Sequence, residues 1–220
     1  VIGFGSYFAF FNPTETQVES LVGTTENIVL PDGSSVVLNA VSSLRYDPEN
    51  WEQNREVHLT GEAFFHVAKG EQFNVVTDAG TISVLGTQFN VKQRPGYFEV
   101  SCYEGLVSVK TSKDSLLLPA GKSVRIVNGT AQKNTTKRPS PSWTKGISSF
   151  QSVPFSQVIA ELERQYQLEI HLKTRTFDVD QLFTGSFAHN NLETALKSVT
   201  VPFNLVYQLK NDAVILKVRD

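Results

Sequence analysis

The sequence predicts a mainly β N-terminal domain, either a β-sandwich or a solenoid-like fold, followed by a small α+β domain with two βαβ-like halves. Three observations support this fold class. Short runs of alternating apolar and polar residues fill residues 25–133. A stretch rich in proline, serine, threonine and cationic residues covers 134–145. Amphipathic helical stripes then occur between strand-like runs in residues 146–220.

The N-terminal segment, residues 1–24, precedes these patterns. It opens on VIGFGSYFAFF, which is uncharged and rich in aromatic residues. As a helix, this opening run would span about 16 Å, roughly half of a bilayer core. Two interpretations remain open: a first strand or helix packed on the core, or the C-terminal half of a membrane anchor.

Residues 25–133 show the two-residue period of half-buried strands, as in Phe73–Val76. Turn signals such as Pro31–Gly33 recur roughly every 8–15 residues, which favours an all-β domain. Gly61 and Gly86 interrupt otherwise continuous strand patterns. We therefore expect a bulge or a close backbone contact at each of these two glycines.

Residues 134–145, NTTKRPSPSWTK, predict an exposed linker between the two domains. A first amphipathic helix follows, with Pro154 in its first turn. Its buried stripe is indicated by five residues at helical spacing: Phe155, Val158, Ile159, Leu162 and Tyr166.

A second helix is indicated by four further apolar residues at helical spacing: Leu192, Ala195, Leu196 and Val199. Asn190 and Glu193, three residues apart near its start, have the spacing of a capping box. Alternating runs predict strands at Leu168–Lys173, Phe203–Leu209 and Ala213–Val218. With a further strand before each helix, the predicted order is strand-helix-strand followed by strand-helix-strand-strand.

The overall composition excludes several classes of protein. The chain has 220 residues, a formal net charge of −2 and a pI of about 6.1. Domains that bind nucleic acid usually have a pI above about 9, so we expect no nucleic-acid partner. Apolar residues make up 40% of the chain, enough for a packed core, which argues against intrinsic disorder. Cys102 is the single cysteine, which excludes an intrachain disulfide framework.

Catalytic and metal-binding motifs are missing from the sequence. The four histidines do not stand at metal-ligand spacing: His58, His66, His171 and His189. Glu62 and Glu104 stand beside glycines, where a surface or turn-capping role is favoured over acid–base chemistry. Cys102 alternates with apolar residues and is interpreted as a buried, inert thiol. We therefore expect no metal, no cofactor and no enzymatic activity.

Several runs of the β region together resemble the periplasmic domain of FecR-family anti-sigma regulators, in order and in spacing. They are LPDGSSVVLNAVSSLRY (Leu30–Tyr46), REVHLTGEAFFHVAKG (Arg55–Gly70), FNVVTDAGTISVLGTQFNVK (Phe73–Lys92), YEGLVSVK (Tyr103–Lys110) and LLPAGKSVRI (Leu117–Ile126). Residues 146–220 resemble the small domain that closes such chains, which is similar to the short N-terminal signalling domain of secretins and TonB-dependent receptors.

The resemblance implies a periplasmic sensor region that binds a protein. Its expected partner is the signalling domain of a TonB-dependent outer-membrane receptor, with the contact surface within 146–220. A cytoplasmic segment outside this sequence would bind the extracytoplasmic-function sigma factor. A single N-terminal helix would tether the full-length protein to the inner membrane, which favours the anchor interpretation of the opening run.

Two other functions are alternatives to the sensor. An extracellular β-rich glycan-binding or adhesive module would need exposed aromatic side chains, for which Trp51 and Trp143 are the candidates. A cupin-like β-barrel enzyme is disfavoured because the sequence has no His-x-His pair.

The resemblance also suggests a self-cleavage site. Some FecR-type proteins cut their own chain at a Gly-Thr bond, and the counterpart here is Gly86–Thr87. A threonine hydroxyl can attack the preceding carbonyl and form an ester that water hydrolyses. The simpler interpretation, which the residues alone favour, is that Gly86 marks a strand bulge and Thr87 is an ordinary strand residue.

Overall fold

The computed structural model describes residues 15–127, 129–136, 138–173, 177–211 and 213–219. The opening apolar run, on which the two interpretations of the N-terminus depend, lies outside the described residues. Within the described ranges, no helix has both the length and the apolar character needed to cross a bilayer.

The β region forms one curled sheet of thirteen strands within described residues 15–135. The strands are β1 (Thr16–Ser20), β2 (Glu26–Val29), β3 (Ser35–Leu38), β4 (Ser42–Tyr46), β5 (Arg55–His66), β6 (Phe73–Thr77), β7 (Gly80–Val84), β8 (Gln88–Arg94), β9 (Tyr97–Glu104), β10 (Leu106–Lys110), β11 (Ser115–Pro119), β12 (Lys122–Val127) and β13 (Thr130–Thr135). The predicted mainly β class is confirmed. Strand β1, which falls in the segment 1–24, pairs with β4 and belongs to this sheet.

The sheet branches at the long strand β5. The first half of β5 pairs with β4 and β6, and its second half pairs with β3 and β8. One layer therefore runs β1-β4-β5-β6-β7-β10-β11, and the other runs β2-β3-β5-β8-β9-β12-β13. We call the second layer the back sheet. The inward faces of both layers supply a single apolar core.

Gly61 lies where β5 passes from one layer to the other. Its φ is +105°, and an added Cβ would stand 2.8 Å from the Cα of Ser42. Both the backbone angle and the close approach favour glycine here. The expectation of a close backbone contact at Gly61 is confirmed.

Aromatic side chains fill the centre of the β core. The rings of Phe65 and Phe89 stack at a centroid distance of 5.0 Å, and Phe73 meets Phe65 edge to face. Cys102 is buried in the same core, and burial raises its pKa to about 11. The expected burial of Cys102 is confirmed, and a thiol with a raised pKa carries little reactive thiolate at neutral pH.

The C-terminal region has the element order that the sequence predicts. It contains β14 (Ile147–Pro154), α1 (Phe155–Tyr166), β15 (Glu169–Leu172), β16 (Leu182–Ala188), α2 (Leu192–Thr200), β17 (Leu205–Lys210) and β18 (Ala213–Val218). Strand β14 pairs with β16, and a second sheet has the order β15-β18-β17. Both helices bury their apolar stripes in a second core, separate from the first.

The predicted capping box of α2 is wrong by one residue. Asn191 caps the helix, because its extended backbone lets the side-chain oxygen accept a hydrogen bond from the Thr194 amide at 2.9 Å. Glu193 does not reach back to the cap and instead accepts from Lys197 one turn later, at 2.6 Å.

The stretch 134–145 is less exposed than the sequence suggests. Its first two residues end β13, and Ser142–Lys145 form a short 3-10 helix. Pro141 and Trp143 are buried, while Arg138 and Pro139 are exposed. The expectation of an exposed linker is therefore wrong at Trp143, which packs the stretch against the β region.

Replacing Gly61 by alanine tests the branch point of the sheet. We expect Gly61→Ala to lower the free energy of unfolding by about 2–5 kcal/mol, because it adds a backbone clash to an unfavourable φ. The control is Gly33→Ala, since Gly33 has a φ of +80° and open space around an added Cβ. This control should cost about 1–2 kcal/mol, for the left-handed backbone alone. Equal costs in chemical denaturation would show that the contact with Ser42 does not matter.

Candidate functional site

The outer face of the back sheet is polar, and the C-terminal region packs against it. Along β8, residues Phe89 and Val91 point into the core, while Asn90 and Lys92 point outward. Helix α1 contacts Lys92 and the short 3-10 helix contacts Asn90, while strand β14 contacts Arg125 of β12. We call the contact between the C-terminal region and the β region the docking interface.

Glu161 of α1 lies at the centre of the docking interface and is 1% exposed. Its carboxylate binds Lys92 Nζ of the β region at 3.3 Å and Arg164 Nη2 of its own helix at 2.8 Å. Gln165 donates to the other carboxylate oxygen at 3.0 Å, and also donates to the side-chain oxygen of Asn39 at 2.9 Å. The carboxylate is therefore held from both regions at once.

Glu62 of β5 is the second buried acid of the interface, at 4% exposure. Asn39 and Asn90 donate their amide hydrogens to its two oxygens at 2.9 and 3.0 Å, and Lys92 Nζ lies 3.2 Å away. Asn90 in turn accepts a hydrogen bond from the Trp143 indole at 3.2 Å. Lys92 thus joins the two acids, and Trp143 fixes the connecting stretch to the same cluster.

Two further contacts fix the position of the C-terminal region. Arg125 of β12 donates to the carbonyl oxygens of Gln151 and Ser152 at 2.9 and 3.0 Å, and pairs with Glu99 at 2.7 Å. At the other end, the Gly23 amide donates to the Arg164 carbonyl at 2.8 Å. This second bond joins the turn after β1 to the C-terminal end of α1.

The buried acid Glu161 and the buried base Arg94 of the interface are both ionised at neutral pH. Burial acts to raise the pKa of Glu161, but Lys92, Arg164 and Arg94 outweigh it and hold that pKa well below its usual value of 4.5. Burial, reinforced by the like charge of Arg164, lowers the pKa of Arg94 to about 10. At neutral pH both Glu161 and Arg94 are therefore charged.

The Gly86–Thr87 bond lies between β7 and β8, and these residues take no part in the docking interface. Thr87 is buried, and its hydroxyl donates to the Leu106 carbonyl at 3.3 Å. An added Cβ at Gly86 would stand 2.8 Å from the Cα of Lys69, so the expected close backbone contact is confirmed. Among the described residues, no acidic or basic side chain bonds to the Thr87 hydroxyl.

The other residues considered from the sequence fall in several environments. Glu62 is not a surface acid, because Lys92 and two asparagine amides compensate its burial; that expectation was wrong. Glu104 is exposed and accepts from Gln88 at 2.6 Å, so its expected surface role is confirmed. In the described part of the chain, no three potential metal-ligating side chains come together.

Sequence reasoning missed Glu161 and Lys92, the two charges that join the regions. A signal for Glu161 was present, because it stands three residues after Val158 and next to Leu162, within the apolar stripe of α1. A charge within such a stripe indicates a buried polar contact. Nothing in the local sequence indicates Lys92 as its partner.

Comparison with known families identifies both regions. The family model described as FecR protein matches residues 16–108, and the model described as FecR, C-terminal matches residues 147–216. Together they cover the β region from β1 into β10 and nearly all of the C-terminal region.

Two solved structures have the same overall fold. Both are crystal structures of a provisionally assigned anti-sigma factor from Parabacteroides distasonis ATCC 8503, 29% identical to this chain. One superposes with a TM-score of 0.86 over 94% of this chain, the other with 0.85 over 93%, and each is covered over 100% of its own length. No curated protein matches the chain.

Replacing Glu161 by glutamine tests the docking interface. We expect Glu161→Gln to destabilise the protein by about 3 kcal/mol at pH 7. This is the lower end of the cost of breaking a buried ion pair, because Lys92 still pairs with Glu62 in the variant. The matched control is Glu193→Gln on α2, whose exposed acid also pairs with a lysine and whose loss should leave the melting temperature nearly unchanged.

The effect of Glu161→Gln should also depend on pH. A folded-state pKa below the unfolded value stabilises the protein above about pH 4.5, and this stabilisation is lost as pH falls through the folded pKa. The difference in melting temperature between wild type and variant should therefore shrink from pH 7 towards pH 3. A difference that stays constant over this range would contradict an ionised Glu161.

Self-cleavage at Gly86–Thr87 remains a prediction, and intact mass under denaturing conditions tests it. Cleavage would give fragments 1–86 and 87–220 that stay associated, because β7 pairs with β10 and β5 pairs with β8 across the cut. Thr87→Val, which keeps the shape and removes the hydroxyl, should abolish the fragments without lowering the melting temperature much. Intact chain after long incubation would leave Gly86 with its packing role alone.

Proposed function

The chain belongs to the FecR family of anti-sigma factors, and we propose that it is the periplasmic sensor region of such a protein. In this proposal, the C-terminal region binds the signalling domain of a TonB-dependent receptor. The signal then passes to an extracytoplasmic-function sigma factor, bound by a cytoplasmic segment outside this sequence. A single N-terminal helix tethers the whole protein to the inner membrane.

The observation that carries the proposal is the edge of strand β17. This strand pairs with β18 on one side, and no other described strand pairs with it. Its second half is exposed, and Leu209 is 53% exposed. An unpaired edge with an exposed apolar residue fits the addition of a strand from another protein.

The docking interface supports the relay of a signal through the protein. A partner on β17 acts on the C-terminal region, which Glu161 and Lys92 join to the β region. The Gly23 amide bonds to the end of α1, and Gly23 follows strand β1 by only a few residues. Strand β1 leads back towards the N-terminus, where the proposed anchor lies.

The alternative of a glycan-binding adhesive module required exposed aromatic rings, and the structure does not provide them at Trp51 or Trp143. Trp51 and Trp143 are both buried, so neither ring is available for stacking on a sugar. Trp51 instead packs edge to face on Tyr46 and Phe73 in the β core.

Replacing Leu209 by glutamate tests the proposed contact. We expect Leu209→Glu to weaken binding to the receptor's signalling domain by at least about tenfold, because it places a charge at the proposed apolar contact. The probe is the purified signalling domain of the receptor encoded beside this protein, titrated by calorimetry. Since Leu209 is exposed, the melting temperature should not change.

The control is Leu117→Glu, which alters a leucine that is even more exposed, at 67%, on the edge strand β11 of the β region. It should bind like the wild type. Full affinity in Leu209→Glu combined with a loss in Leu117→Glu would move the contact to the β region. An absence of binding by the wild-type protein would reject the receptor as the partner.

A further inference from the structure

A polar cleft of about 760 Å³ lies between the back sheet and the C-terminal region, next to the docking interface. Ten of its 28 lining residues are serine or threonine, and seven are glycine, proline or hydrophobic, two of them tyrosines. Its volume falls in the range of small-molecule sites, and its lining contains more polar residues than the mainly apolar lining of most such sites. Such a surface fits a ligand that carries many hydrogen-bonding groups.

The floor of the cleft is a straight row of small polar side chains across four neighbouring strands. Asn90 of β8 lies opposite Ser101 of β9, Ser101 opposite Ser123 of β12, and Ser123 opposite Asn134 of β13. With adjacent strands spaced about 4.8 Å apart, the row is about 14 Å long. Longer side chains, Lys92, Glu99 and Arg125, form the next row and make one wall of the cleft.

Asn134 ends this row with an unused donor. Its amide nitrogen is buried and has no hydrogen-bond partner among the described residues, although the residue as a whole is only half-buried. A buried donor without a partner is unfavourable and uncommon in folded proteins. Asn134 lines the cleft, so a ligand there could supply the missing acceptor if the amide turned towards it.

Three acids and three cations line the cleft, so its lining has no net formal charge, and one of these cations has no acid partner among the described residues. The three lining acids are all paired with cations: Glu62 and Glu161 with Lys92, and Glu99 with Arg125. Arg138 also lines the cleft, and it makes no ion pair with any described residue. It donates to the Ser149 hydroxyl at 3.0 Å, which holds its guanidinium at the opposite wall.

We propose that this cleft binds a short saccharide that carries a carboxylate. The hydroxyls of the sugar exchange hydrogen bonds with Ser101, Ser123 and Asn134, and the carboxylate pairs with Arg138. An extended peptide fits less well, because the row runs across the strands and offers side chains, whereas a peptide strand pairs along a main-chain edge. This site is independent of the receptor contact proposed at β17.

A ligand in the cleft contacts both regions of the protein. Ser101 and Ser123 belong to the back sheet, whereas Ser149 belongs to β14 of the C-terminal region. Binding to the docked form alone stabilises that form by mass action. The ligand therefore raises the melting temperature and strengthens the docking interface.

Calorimetric titration of the whole chain with three acidic oligosaccharides tests the proposal: trigalacturonate, a hyaluronan tetrasaccharide and 3′-sialyllactose. Maltotriose and chitotriose serve as neutral probes. A hexapeptide with one glutamate, acetyl-Gly-Ser-Thr-Ser-Glu-Gly-amide, represents the peptide alternative. We expect at least one acidic saccharide to bind, at least about tenfold more tightly than either neutral one.

Two variants separate binding from folding. Asn134→Leu should weaken binding by about tenfold while leaving the melting temperature without ligand equal or higher, because it removes a buried donor that has no partner. Arg138→Gln should reduce affinity for the acidic probe to that for the neutral ones. The controls are Asn27→Leu, an exposed asparagine on the opposite edge of the back sheet, and Arg219→Gln, an exposed arginine outside the cleft.

Several outcomes would overturn the proposal. Failure of all three acidic saccharides to bind would reject it, as would tighter binding of the peptide. Binding that survives both Asn134→Leu and Arg138→Gln would place the ligand elsewhere. A loss of stability in unliganded Asn134→Leu would assign Asn134 a structural role in place of a binding role.

Discussion

The arrangement of the two regions depends on one buried carboxylate. Glu161 is almost fully removed from water, and an ionised acid in that position is very costly unless it is paired. Its pairing needs Lys92, which belongs to the β region, together with Arg164 and Gln165 of its own helix. The ionised state of Glu161 and the docked position of the C-terminal region are therefore parts of the same equilibrium.

The polar contacts determine where and in which orientation the C-terminal region docks, more than how tightly it docks. An apolar cluster of similar volume often stabilises a protein as well as a buried ion pair does. Hydrogen bonds, by contrast, require particular partners in particular directions. Asn39 illustrates this constraint, since it donates to Glu62 within the β region and accepts from Gln165 of α1. A shifted helix would leave several such groups buried without partners.

The sequence predicted the fold class and the order of elements, because both follow from local periodicity. The stripe of α1 and the alternation along β18 are visible in a few consecutive residues. The site could not be read in the same way, because the ion pair joins Lys92 to Glu161, which stand 69 positions apart. The exact N-cap residue of α2 could not be predicted either, because Asn190 and Asn191 are both chemically suitable caps. Trp143 looked like part of a linker because its partner, Asn90, lies 53 positions away.

Helix α1 connects the proposed receptor contact to the N-terminal strand. Phe155 at its start packs at 4.7 Å on Phe203, which lies just before β17, and the Arg164 carbonyl near its end bonds to Gly23. Glu161 is stable when fully paired or fully hydrated, but an intermediate displacement leaves it buried and unpaired, at a cost of about 3–5 kcal/mol. A displacement of α1 would therefore have to pass through an unfavourable intermediate, and this favours a single cooperative step, as in two-state switches. The buried acid that joins the regions would thus also make any separation of them cooperative.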